Sequence, residues 1–135
     1  MTELRWLDLA DALALHDRLL ALHGGAEGVR DEGALSAALA RPRQHLAYEP
    51  ATGIVELAAL LTAAIVRGHP FVDGNKRTGF VLGVLFLELN GRRFDASEAE
   101  VAGAVLALAA GEIDEAGYAA FLGANAAPPA HFTRG

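Results

Sequence analysis

The stretch from Gly53 to Gly68 is apolar on nearly every face of the helix that its length suits, and such a helix is stable only when neighbours surround it. That requirement sets the architecture: a central helix needs a jacket of other elements around it. Turn and cap signals divide the rest of the chain into helix-length pieces. No stretch shows the strict alternation of a half-buried strand, so the chain reads as all-α, a compact helical bundle around one buried helix. Hydrophobic residues make up 53% of the 135, enough to fill the core of one ordinary domain. Residues 1–125 are assigned to that domain. Residues 126–135, which include Pro128-Pro129, read as a mobile C-terminal tail.

Local signals place the surrounding pieces. Leucines from Leu7 to Leu22 recur at helical spacing and predict a helix over about 8–23, which Gly24-Gly25 ends as a left-handed cap can. Asp31 can cap a short helix through Ala40, stopped by Arg41-Pro42 because the residue before proline avoids helical angles. Gln44 to Glu49 reads as a short extended flap. Helical spacing resumes from Asn75 to Asn90 and stops at Gly91, and Arg92-Arg93-Phe94 reads as a brief extended turn. Ser97 and Glu100 fit a capping box that opens a helix to about Ala110. Asp114 can cap a last helix from Glu115 to about Ala124.

Charge and composition exclude several functions. A formal net charge of -6 opposes nonspecific binding to nucleic acid or to an anionic membrane, so any phosphate site must be local. With no cysteine, thiolate ligands, disulfides and a thiol nucleophile are excluded, which fits a reducing cytosol. No apolar window reaches the roughly 18 residues of a membrane span, and no signal-peptide pattern opens the chain. The expected location is therefore the cytoplasm, without nucleic acid or membrane as partner.

Between the two most apolar segments lies His69-Pro70-Phe71-Val72-Asp73-Gly74-Asn75-Lys76-Arg77-Thr78, whose residue types suit phosphate chemistry. An imidazole can take a proton from an attacking hydroxyl near neutral pH. A carboxylate can hold a hard divalent cation, and Lys76 and Arg77 can balance phosphate charge. The predicted helix start after Gly74 adds backbone N–H groups without internal partners and about half a positive charge of helix dipole. Together these make an anion site between the Asp73-Gly74 turn and Arg77. A P-loop is rejected, because Gly68 and Gly74 are one residue too far apart and a buried helix, not a strand, precedes the loop. His16-Asp17 reads as a packing or capping pair on the first helix, since no second histidine cluster supports a metal site.

The segment from His69 to Arg77 resembles the signature of the Fic/Doc superfamily, and its Asn-Lys-Arg ending is the form of the Doc, or death-on-curing, branch. Leu15-His16-Asp17, Gly24-Gly25, Ala47-Tyr48-Glu49, Arg67-Gly68-His69, Leu85-Phe86-Leu87, Asn90-Gly91 and Phe94-Asp95 are similar to the same branch in order and spacing. The resemblance covers about residues 9–124. In Fic members the motif ends Gly-Asn-Gly-Arg, with a second Arg three residues on. Here Lys76 stands at the second glycine and Phe80 at the second arginine.

The resemblance implies a toxin that transfers the γ-phosphate of ATP to a threonine of elongation factor Tu. It implies His69 as general base and Asp73 as the Mg²⁺ ligand. Asn75, Lys76, Arg77 and the Gly74 backbone would hold the ATP phosphates. It further implies an antitoxin partner whose disordered C-terminal segment folds on binding. The alternatives are AMP transfer to a protein hydroxyl, as in Fic enzymes, and a catalytically weak module that mainly binds the antitoxin.

Overall fold

The structure, a computed structural model, describes residues 3–127. Among them the chain forms α1 (Leu9–His23), α2 (Glu32–Tyr48), α3 (Ile54–Gly68), α4 (Asn75–Leu89), β1 (Arg93–Phe94), α5 (Glu98–Ala109), α6 (Glu115–Ala124) and β2 (Ala126–Ala127). The protein is all-α in class, as its lack of alternation predicts.

Caps start the helices where the sequence carries them. The Asp31 carboxylate accepts the Ala34 N–H (3.0 Å) and that of Asp114 accepts the Gly117 N–H (2.8 Å). Ser97 and Glu100 satisfy each other's N–H groups reciprocally (3.1 and 3.0 Å), which removes donors that would otherwise lack partners at the start of α5.

Helix α3 occupies the centre, buried without interruption from Leu57 to Ala63, and packs on α2, α4, α5 and α6. Its contact with α4 is unusually close. A Cβ at Gly79 would lie 3.1 Å from Val66 Cγ2, and one at Gly83 would run into Thr62 Oγ1. The Thr62 hydroxyl donates to the Gly79 carbonyl across this seam (2.7 Å). The seam sets the end of α3 and the start of α4 in a fixed relation, and the motif joins them.

Two local expectations are overturned in α2. The helix does not stop at Arg41-Pro42 but runs through Pro42 to Tyr48, so there is no extended flap over Gln44 to Glu49. An interior proline removes a helix hydrogen bond and costs about 3 kcal/mol or more. Leu35, Ala38 and Pro42 fall three and four residues apart, hence on one face, and that face is buried. Packing against α3 offsets the break, and Arg41 is further tied to Glu115 on α6 (3.0 Å).

The extended turn is present as β1, which pairs antiparallel with β2, Arg93 opposite Ala127 and Phe94 opposite Ala126. The Arg92 Nε–H also donates to the Ala127 carbonyl (2.9 Å). Ala126 and Ala127, assigned above to the tail, thus sit in a strand, while 128–135 lie outside the described residues.

Candidate active site

The motif begins where α3 ends. His69 is the C-cap, with its N–H on the Ile65 carbonyl (3.1 Å) and its backbone left-handed at φ 49. Among the described residues it is the only non-glycine with positive φ, a conformation that costs a side-chain-bearing residue roughly 1–2 kcal/mol. The turn swings the imidazole away from the core, and the residue is exposed.

Phe71 then plunges inward, 1% exposed. Its backbone is clamped by the Asn75 carboxamide: Asn75 Oδ1 accepts the Phe71 N–H (2.9 Å) and Nδ2 donates to the Phe71 carbonyl (3.0 Å). The Asn75 side chain therefore closes the loop from within. Against the same phenyl ring lies His16, buried at 2% and stacked face to face with centroids 3.8 Å apart. Its Nε2 donates to the Asp73 carbonyl (2.8 Å), which fixes Nε2 as the protonated nitrogen.

Gly74 is left-handed at φ 79 and serves as the N-cap of α4, which is the reason for a glycine there. The first intrahelical bond runs from the Thr78 N–H to the Gly74 carbonyl (2.9 Å). The N–H groups of Asn75, Lys76 and Arg77 precede it and have no intrahelical partner, as at any helix start. The Gly74 N–H is engaged by Asp73 Oδ1 (2.9 Å), while Asp73 Oδ2 accepts from the Ala26 N–H (3.1 Å).

These two donors hold the Asp73 carboxyl below the usual carboxylate range, Ala26 foremost, with smaller contributions from Arg77 and His16. Asp73 is thus an exposed, ionised carboxylate. It fits Mg²⁺ that arrives with substrate phosphates, which commonly needs only one or two protein carboxylates. Among the described residues no three His, Cys, Asp or Glu gather into a full protein cage.

Lys76 and Arg77 are exposed on the first turn of α4 and form no ion pair among the described residues, unlike Arg41 and Arg67, which converge on Glu115. Beside them opens a cleft of about 700 Å³ between α1, α4 and α5, walled by Leu19, Phe80, Val81, Val105 and Leu106. Phe80 belongs to its aromatic wall, edge-on to Phe94 with centroids 5.7 Å apart.

Of the six residues expected from sequence, His69, Asp73, Gly74, Lys76 and Arg77 lie along the open side of one turn, and the Asn75 side chain faces inward. Two contributors were missed. His16 packs as expected but also carries the Asp73 carbonyl. The segment 24–31 lies against the motif: Val29 bridges Phe71 antiparallel, and the Val72 N–H donates to the Gly28 carbonyl (3.0 Å). Gly25 is required there, since a Cβ would sit 2.9 Å from Asp73 Oδ2. Only the glycines of this segment signalled it, and they read equally well as a helix stop.

A buried helix handing over through a clamped turn to a helix start, with an exposed imidazole ahead of two cations, defines the class. The sequence model of the Fic/DOC family matches residues 6–87, and the chain belongs to that family. It is similar to the protein kinase doc of Escherichia phage P1, 37% identical over 111 residues that cover 82% of this chain and 86% of that one. It is also similar to the toxin Doc of Mycolicibacterium smegmatis, 39% identical over 82 residues, 57% of this chain and 63% of the relative.

Proposed function

We propose that the chain is a Doc-type toxin that transfers the γ-phosphate of ATP to a threonine hydroxyl of a protein, with elongation factor Tu as the target. The observation that carries this reading is one turn that presents an exposed imidazole at the end of α3 and, at the start of α4, helix N–H groups beside two cations that have no ion-pair partner among the described residues. The similarity to a protein kinase doc and a toxin Doc supports the choice of reaction.

In the transfer, the threonine oxygen bonds to the γ-phosphorus as the β–γ bridging oxygen departs with ADP, and His69 accepts the hydroxyl proton. Lys76, Arg77 and the start of α4 stabilise charge that builds on the phosphoryl oxygens. The Asp73 carboxylate would hold Mg²⁺, which when bound would supply charge neutralisation on the phosphates. The Asn75 carboxamide keeps the turn in shape, so its contribution to phosphate comes from the backbone N–H.

The apolar cleft between α1, α4 and α5 suits the partner in this reading, an antitoxin segment that folds on binding. An amphipathic helix would cover Leu106, 56% exposed, and bring acidic groups to Lys76 and Arg77. That partner would then compete with phosphate for the same cations.

The test is to incubate the protein with Mg²⁺, ATP and elongation factor Tu and weigh the target. A phosphate-sized gain that vanishes with His69→Ala supports the reading. An AMP-sized gain makes the protein a nucleotidyl transferase. No gain, together with no ATP binding at millimolar concentration, leaves a binding module.

A further inference from the structure

The left-handed turn at His69 is held from outside the motif. Arg30, in the segment between α1 and α2, donates from Nε to the His69 carbonyl (2.7 Å) and from a terminal guanidinium nitrogen to the Gly68 carbonyl (2.9 Å). The backbone N–H groups of Arg30 and Asp31 both donate to the next carbonyl, that of Pro70 (2.7 and 3.0 Å). Three consecutive carbonyls are thus gripped by two adjacent residues.

The geometry of the grip matters. The Gly68 carbonyl belongs to the peptide plane on one side of the His69 Cα, and the His69 carbonyl to the plane on the other. Rotation about φ or ψ of His69 turns one plane against the other, so neither angle can change without breaking a guanidinium bond. A planar fork holds its N–H groups at fixed spacing and direction and so fixes both planes, whereas an ammonium on a flexible stem turns freely and holds neither plane in a set direction. The site also suits a cation, because carbonyls at a helix C-terminus lack partners and carry the negative end of the dipole. Arg30 has no other commitment: it forms no ion pair among the described residues, and the neighbouring Asp31 carboxylate is taken up by the Ala34 N–H.

We propose that Arg30 is a positioning residue for His69, setting the direction in which the imidazole leaves the backbone at the end of α3. This role in catalysis rests on the reading of His69 as the general base, but the restraint itself does not.

Two measurements on the full chain separate the two claims. The first needs no substrate. In NMR spectra of protein labelled at the histidine rings, with the His69 signals identified by their loss in His69→Ala, Arg30→Ala should shift or broaden those signals and leave the ring of His16 in place. The second is steady-state phosphorylation of elongation factor Tu: kcat should fall about tenfold to a hundredfold in Arg30→Ala, as misplacement of a reacting group does, with KM for ATP within about twofold.

Arg30→Lys should retain the fold and recover little of kcat, and added guanidinium should restore part of it to Arg30→Ala. A folded Arg30→Ala protein whose His69 signals do not move overturns the proposal, as does a kcat loss that lysine repairs fully. Moved signals with unchanged kcat uphold the restraint and overturn its role in catalysis, while the base assignment itself is tested by His69→Ala.

Discussion

The inner and outer faces of the motif turn differ in how far their polar groups are already committed. On the inner face, Phe71, Asn75 and His16 are buried, and both polar atoms of the Asn75 carboxamide and the protonated nitrogen of His16 have partners. On the outer face, the His69, Lys76 and Arg77 side chains are exposed and make no hydrogen bond or ion pair among the described residues. Order made on one side leaves the other ready to meet a ligand. Asp73 bridges the two, its carbonyl held from below by His16 and its carboxylate reached by two N–H groups.

The two faces part most visibly at His69. Removing a general base lowers a rate about 10²–10⁴-fold, so His69→Ala should leave no detectable phosphate on the target by mass, while its urea unfolding curve stays close to that of the parent. An inner-face change should behave in the opposite way. Asn75→Ala strands the N–H and carbonyl of a buried Phe71, and at roughly 1–3 kcal/mol for each of the two unpaired groups the expected loss is about 2–6 kcal/mol, read from the same unfolding curves. Activity should fall with it, because the turn itself loosens.

Lys76→Ala and Arg77→Ala sharpen the contrast further. Each should raise KM for ATP by about tenfold, a charge-assisted contact being worth roughly 1.5 kcal/mol or more. Stability should shift by no more than about 0.5 kcal/mol, as for other exposed positions. If either variant unfolds as readily as Asn75→Ala, the division into two faces fails.

The smallest expected effect is the contribution of Asp73 to stability in acid. Its folded-state carboxyl ionises below the ordinary value of 3.8. Its contribution to stability is therefore present in full above that pH and lost as pH falls through the lower, folded value. Thermal melts taken on the acid side of 3.8 should fall less steeply for Asp73→Asn than for the parent. Equal slopes would mean that the Ala26 and Gly74 N–H groups do not favour the charged form.

Much of this was legible in the sequence because its signals are local. The capping residues Asp31, Ser97 and Asp114 start their helices where spacing predicts. The segment from His69 to Arg77 carries its chemistry in consecutive residues. What escaped depends on partners far apart along the chain. Pro42 lies inside α2 because its face packs on α3, an outcome no rule about the residue before a proline contains. His16 meets Asp73 across 57 positions and Arg30 meets His69 across 39, and neither pairing leaves a periodic trace. The family resemblance implies a phosphate contact for Asn75, whereas the geometry of the turn directs its amide to Phe71.

Residue order alone requires that this chain wrap a helix apolar on nearly every face, and that the break after that helix carry an imidazole, a carboxylate and two cations. Composition, caps and short motifs act over a few residues, so they can be read in order. Which of those groups face solvent, and what holds them there, follows from how the helices and loops pack on one another. The close approach of α3 and α4 through Gly79 and Gly83, and the docking of residues 24–31 on the turn, arise from packing among segments that only folding brings together.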